Sequence, residues 1–166
     1  MNGLVTGCDL VDIARLSAAI DRRPGLVERV FTPRERADAL RGGAGAGTEV
    51  ERARLAARFA AKEATRKALG DLRLPFHAVE VRTADSGAPE VYLHGAPAGL
   101  SCSLSHDAGV AMAIVVGVRG TGAAALSAAG TRAGGDADLP ADQPAGPPTD
   151  RPTDGRIAPT DTSTTL

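Results

Sequence analysis

At 166 residues the chain has room for one domain, and with three Phe, one Tyr and no Trp its core has to be built from Val, Leu, Ile and many Ala. The formal net charge of −1 gives no electrostatic footprint for generic nucleic-acid binding. No apolar run approaches the ~20 residues that cross a bilayer, and two cysteines in different segments, Cys8 and Cys102, give neither a disulfide framework nor a zinc spacing, which fits a reducing cytoplasm.

Leu4 to Ile13 is rich in Leu, Val and Ile and follows Gly3, so it predicts a buried first strand, with Gly7 permitting close backbone approach and Asp9 near the strand's end. Val5-Thr6-Gly7-Cys8 has the look of a lipoprotein cleavage box, but nothing basic precedes it and Asp9 interrupts the apolar run, so no signal peptide is expected. A helix is expected soon after, in a segment carrying Arg15, Arg22, Arg23 and Arg29 and broken by Pro24-Gly25. Thr32-Pro33-Arg34-Glu35 is a capping-box pattern with Pro at the first helical position, which predicts a short helix from Pro33 to about Leu40. The glycine-rich stretch from Gly42 to Gly47 lacks a phosphate-loop lysine and the flanking strand and helix of a nucleotide fingerprint, so it reads as a linker.

Glu51 to Leu69, stopped by Gly70, is the longest predicted helix. At about 3.6 residues per turn, Ala53, Ala56, Ala57, Ala60, Ala64 and Ala68 fall on one side as a small-residue face, while Leu55, Phe59, Lys62, Glu63 and Arg66 occupy another sector with Lys67 beside Glu63. Strands are predicted over Ala78 to Thr83, Glu90 to His94, Ser101 to Ser105 and Val110 to Val118, with Asp85-Ser86-Gly87 as a hairpin turn. One strand, then helices, then antiparallel hairpins make an α+β domain of helices packed on an antiparallel sheet. From Thr121 to Leu166 there is no aromatic residue, no Val and no Met, so residues 120–166 are predicted to be a disordered tail following a domain of residues 1–119.

Several residues are candidates for chemistry. Asp9 lies in an otherwise apolar strand, where a lone carboxylate is costly to desolvate and is paired or metal-bound unless the strand end simply meets solvent. Glu63 and Lys67 have the spacing of an ordinary surface ion pair worth ~0.2–0.5 kcal/mol. Yet only Lys62 and Lys67 among the 19 basic residues are lysines, and both flank Glu63 on one helix. An ammonium offers a compact, titratable point charge that a guanidinium does not, and such a charge suits contact with a phosphate or transfer of a proton. His106 is expected where a loop begins after a strand, and its alternative is a turn histidine bonded locally; His77 and His94 have surface roles only.

Taken together, Gly7-Cys8-Asp9-Leu10-Val11-Asp12-Ile13 with Arg15, Arg29-Val30-Phe31-Thr32-Pro33-Arg34-Glu35, Arg58-Phe59-Ala60-Ala61-Lys62-Glu63-Ala64 through Lys67-Ala68-Leu69-Gly70, and Ser103-Leu104-Ser105-His106-Asp107 resemble the successive signatures of the holo-(acyl-carrier-protein) synthase family of 4'-phosphopantetheinyl transferases. The resemblance implies that family's fold, assembled as a homotrimer with coenzyme A in clefts between subunits. It also implies a magnesium-dependent, cytoplasmic enzyme that moves the phosphopantetheine arm of coenzyme A onto a serine of an apo acyl carrier protein, with no nucleic acid or membrane as partner. By the same resemblance Asp9 and Glu63 are the magnesium ligands and, with Lys67, the catalytic set. Arg58, Phe59, Lys67, Ser105 and His106 are implied to bind coenzyme A and Arg15 to face the carrier; Arg22, Arg23 and Arg29 are expected to join Arg15 there by charge complementarity with an acidic carrier. Either Glu63 or a water would take the serine proton. A relative that keeps the fold and binds coenzyme A or a carrier without turnover is the alternative. The chain departs from the family at Gly87-Ala88-Pro89, where relatives read Gly-Lys-Pro, at Ser101, where they often have histidine, and in a shorter segment between Gly95 and Ser103.

Overall fold

The computed structural model describes residues 3–118; the predicted tail, residues 120–166, lies outside the described residues. Strand β1 (Leu4–Asp12) leads into helices α1 (Ile13–Arg22), α2 (Leu26–Val30) and α3 (Pro33–Ala39), then the long α4 (Glu49–Leu69), and strands β2 (Val79–Thr83), β3 (Pro89–Leu93), β4 (Ala96–Asp107) and β5 (Val110–Val118) complete the domain. The five strands form one antiparallel sheet in the order β1-β5-β4-β3-β2, so the first strand pairs with the last. This is the α+β arrangement expected, with helices packed on the sheet.

Local chemistry accounts for most element ends. Asp12 caps α1, accepting from the Arg15 N–H at 2.8 Å. At α3 the predicted capping box is complete: Glu35 N–H donates to Thr32 Oγ1 and Thr32 N–H to Glu35 Oε2. Helix α4 begins two residues earlier than expected because Thr48 caps it, and it ends at Gly70 with φ 70°, a left-handed stop. Helix α2 was not expected; five residues are too few to show a period. Strand β4 starts at Ala96, well before the expected Ser101, because His94 and Gly95 both take positive φ and turn the chain at once, setting Leu93 opposite Ala96.

The main core lies between α4 and one face of the sheet. Val5 and Val11 of β1, Ala111, Ala113 and Val115 of β5, and Val79, Val81, Val91 and Leu93 of the far strands meet the alanines of α4. Ala56, Ala57, Ala60, Ala64 and Ala68 are buried as the helical spacing requires. Small side chains let the helix sit low, and at Gly7 no side chain is tolerated: a Cβ there would lie 1.9 Å from the Ala64 carbonyl oxygen. A second, smaller cluster of Val30, Phe31, Ala39 and Leu55 joins α2 and α3 to α4. Burial pushes the Cys102 thiol up to about 11, so it stays protonated and inert at neutral pH.

Lys62 and Glu35 form a fully enclosed ion pair at 2.8 Å. The Lys62 ammonium also donates to the carbonyls of Phe76 and Val79, and Glu35 accepts in addition from the N–H groups of Thr32 and Val81. Three N–H bonds meet three acceptors. Lys62 is thus a structural ammonium, fully buried, and a lysine in this arginine-rich chain suits a pocket shaped for a compact cation.

The opposite face of the sheet is bare. Leu4 and Leu10 are 73% and 64% exposed, and Val110, Ile114 and Val118 join them in one apolar patch along the paired strands β1 and β5. Because helix and strand backbones touch at Gly7, Gly7→Ala has to lift α4 away from β1, and urea unfolding of this variant is expected to show a loss of about 3 kcal/mol or more. A loss below about 0.5 kcal/mol, the scale of an ordinary surface change, would contradict the contact.

Candidate active site

Alternation along β1 places Val5, Gly7, Asp9 and Val11 on the face that carries α4. Asp9 is the charged member of that row, with its side chain 16% exposed. Above it, the last two turns of α4 present Glu63, Arg66 and Lys67. Lys67 Nζ donates to Asp9 Oδ1 at 2.6 Å and to the Cys8 carbonyl at 3.1 Å. Helix α4 and strand β1, far apart in sequence, thus deliver a carboxylate and an ammonium to one point. The hydrogen bond from Lys67 to Asp9 foremost, with the charges of Asp9 and Glu63 adding to it against some desolvation, holds the Lys67 ammonium above the ordinary lysine range.

The expected pairing of Glu63 with Lys67 is replaced by another. Glu63 Oε1 accepts from Arg66 Nη1 at 2.7 Å, one turn along α4. The Arg66 guanidinium lies 4.7 Å from the centre of the Phe76 ring, which stacks on Phe59 with ring centres 5.4 Å apart. Phe76 belongs to the short 3-10 turn Phe76–Ala78, whose first carbonyl accepts from Lys62. The spacing of Glu63 and Arg66 was visible in the sequence, but a ring arriving from the segment after Gly70 was not.

The remaining predicted residues divide. Arg58 is buried, donating to the Arg54 carbonyl and to Thr83 Oγ1, with Asp38 Oδ2 at 3.9 Å, so it ties α4 to α3 and β2 inside the fold. Desolvation lowers its pKa, and the charges of Asp38 and Glu35 oppose that shift. His106 lies within β4 instead of in a loop; it is exposed and opposite Ala111, which in turn faces Val11, so it shares the helix-bearing face with Asp9, with β5 between them. Ser105, one residue away, points to the opposite face, and the structure does not bring it together with His106. Arg15, Arg22 and Arg29 are exposed along α1 and α2, and Arg23, which ends α1, is half-buried.

This geometry has clear relatives. Residues 6–116 match the model of the 4'-phosphopantetheinyl transferase superfamily. The chain is 45% identical over 123 residues to a holo-[acyl-carrier-protein] synthase of Beutenbergia cavernae, an alignment covering 68% of this chain and 96% of that one. The chain belongs to the holo-(acyl-carrier-protein) synthase family of 4'-phosphopantetheinyl transferases. It is also 42% identical over 126 residues to the holo-[acyl-carrier-protein] synthase of Streptomyces avermitilis, covering 70% of this chain and 98% of the relative. Among solved structures of the family, the Chronobacterium ammoniagenes synthase in complex with coenzyme A superposes with a TM-score of 0.59 at 28% identity, over 70% of this chain and 97% of that one. The Helicobacter pylori holo-[acyl-carrier-protein] synthase in complex with coenzyme A gives a TM-score of 0.56 at 30% identity, over 68% and 98%. As a member of this family the chain is a transferase enzyme.

Its two lysines provide a direct check on the site. Desolvation lowers the pKa of buried Lys62, with Glu35 opposing, while Lys67 is raised. Side-chain nitrogen spectra of the two lysines should therefore resolve one signal titrating below the usual range and one above it. The contribution of the Lys67–Asp9 pair to stability is fully present below the ordinary lysine pKa and is lost only as pH rises through the raised value. Asp9→Asn should bring the Lys67 signal down and leave that of Lys62 in place; a Lys67 signal indifferent to Asp9→Asn would refute the pairing.

Proposed function

We propose that the enzyme transfers the 4'-phosphopantetheine group from coenzyme A to a serine of an apo acyl carrier protein, with Mg2+, releasing adenosine 3',5'-bisphosphate. The observation that carries this reading is the Lys67–Asp9 ion pair between α4 and β1, with the charge of Glu63, one turn back on α4, acting on the same ammonium. In the transfer, serine Oγ forms a bond to the phosphorus that bears pantetheine as the bond from that phosphorus to the bridging oxygen breaks. The electron pair leaves with the bisphosphate nucleotide and the serine proton passes to a base.

The residues present fit a magnesium ion. Among the described residues no group of three or more His, Cys, Asp and Glu gathers as a complete protein cage. Magnesium needs none, since it is held by one or two carboxylates together with waters and substrate phosphates. Asp9 and Glu63 would be those carboxylates. When bound, the ion supplies charge neutralisation at the pyrophosphate. Lys67, kept as an ammonium by Asp9, is placed to contact a phosphate oxygen and to remain a cation throughout the neutral range. Glu63 stands beside it as a candidate acceptor for the serine proton.

Two surfaces support the partners. The arginines of α1 and α2, with Arg15, Arg22 and Arg29 exposed, suit an acidic carrier, whose attraction raises association rate and selectivity. The bare patch of Leu4, Leu10, Val110, Ile114 and Val118 suits assembly of copies through their sheets, the homotrimer that the family resemblance implies. No helix among the described residues is long and apolar enough to cross a membrane.

Incubation with coenzyme A, Mg2+ and an apo carrier, read by mass, should show the carrier gaining one phosphopantetheine arm. Asp9→Ala and Glu63→Ala should each lower kcat/KM by about 100-fold or more, and the double variant should lose little further, because each disables the same unit. Full activity in excess chelator, or in Asp9→Ala, would sink the reading. Arg15→Glu should raise the carrier KM at low salt while coenzyme A affinity holds, and an unchanged carrier KM there would remove α1 from the docking surface.

A further inference from the structure

The site holds two carboxylates and two cations. Asp9 is matched by Lys67 and Glu63 by Arg66, each pair through a single carboxylate oxygen, at 2.6 and 2.7 Å. The formal charge of the cluster is therefore zero. A divalent cation entering alone would leave two positive charges uncompensated beside Asp9 and Glu63, which are only 16% and 20% exposed and so are poorly screened. A pyrophosphate diester entering alone would leave two negative charges. Entering together, the two sum to zero.

The two cations are held differently: Lys67 is tethered to the β1 backbone at the Cys8 carbonyl, while Arg66 lies over an aromatic ring. The Arg66 guanidinium carbon lies over the Phe76 ring, which Phe59 backs, so the group is held by a non-directional cation–ring contact that does not fix which acceptor its N–H groups meet. Its Nε is enclosed with no hydrogen-bond partner among the described residues, so the bond to Glu63 leaves the donor fork incompletely used. A planar fork of N–H donors is matched to phosphate oxygens.

We propose that Arg66 couples the metal to the coenzyme: it occupies Glu63 while the site is free, and passes to the pyrophosphate when that group arrives, so that divalent cation and coenzyme A bind as a linked pair. This rests on the reading of Asp9 and Glu63 as metal ligands. Linkage makes the coupling reciprocal, so coenzyme A raises cation affinity by the same factor as the cation raises coenzyme affinity.

Mn2+ binding to the full-length chain, followed by its electron-spin signal with and without coenzyme A and with no carrier present, reads this coupling without turnover; the cation bound by coenzyme A in solution is measured separately and subtracted. The unaltered chain should bind Mn2+ at least about tenfold more tightly when saturated with coenzyme A, and Arg66→Gln should bind Mn2+ about three- to tenfold more tightly in the free state, with the gain from coenzyme A reduced in proportion. Arg66→Lys, which keeps the charge, should retain the weak free-state affinity. Arg66→Met, which keeps the Phe76 ring covered, carries the same test should the glutamine variant not fold. Unchanged free-state affinity and unchanged coupling in the charge-removing variant would overturn the proposal. Glu63→Gln separates the two ways of failing: Mn2+ binding that survives it in the presence of coenzyme A removes the ligand assignment and the proposal with it, whereas loss in Glu63→Gln beside unaltered behaviour in Arg66→Gln removes the proposal alone.

Discussion

Helix α4 lies on β1 at backbone contact, and the rest of the molecule is arranged around that closeness. A glycine at position 7 and alanine at 64 set the distance, since a single added carbon at Gly7 would collide with the carbonyl of Ala64. Asp9 follows Gly7 by two residues on the same strand face and Lys67 follows Ala64 by three along the helix, so the spacing that packs the core also brings the carboxylate and the ammonium within hydrogen-bonding distance. A bulkier seam would separate them by more than a hydrogen bond can bridge. The active-site geometry is thus inherited from packing, with no loop to hold it in place.

The second fixed point is the Lys62–Glu35 pair. Breaking one partner of such a pair strands a buried charge, which typically costs about 3–5 kcal/mol, and here Glu35 also satisfies two backbone N–H groups, one at the start of α3 and one in β2. Lys62 in turn anchors the backbone at Phe76, whose ring supports Arg66. A structural ion pair on the hidden side of α4 and the charged cluster on its accessible side are therefore connected through one aromatic residue. This connection uses two of the chain's few aromatic residues, Phe59 of α4 and Phe76 stacked on it.

Much of this was legible in the sequence because it is local. The capping box at Thr32, the Gly70 stop, the alanine face and the hairpin turn at Asp85 to Gly87 each depend on residues within a few positions of one another, and each stands where expected. Asp9, Glu63 and Lys67 were singled out by combining motifs, and the structure joins Lys67 to Asp9 and Arg66 to Glu63. What stayed hidden depends on contacts between distant segments: the partner of Lys62, the ring under Arg66 and the internal bonds of Arg58. Strand β4 was shortened in the reading because Ala96-Pro97-Ala98-Gly99 has little intrinsic strand preference, and pairing imposed by the turn at His94 and Gly95 overrode it. The scarcity of lysine drew attention to both lysines, yet only partner atoms separate the buried strut Lys62 from Lys67, which meets Asp9 near the surface.

The pairing of β1 with β5 has a consequence for how the chain reaches its native state. Among the described elements, strand β1 comes first in the chain and its neighbour in the sheet last, with four helices and three other strands between them. Closing so long a loop has a high entropic cost before any ladder bond forms, and folds dominated by such non-local pairings assemble slowly. Until β5 is in place, α4 alone can shelter the inward side of β1, while Leu4 and Leu10 remain open on the other. A nascent chain therefore spends the interval before closure with an unpaired apolar strand, the state in which encounters between chains are most hazardous.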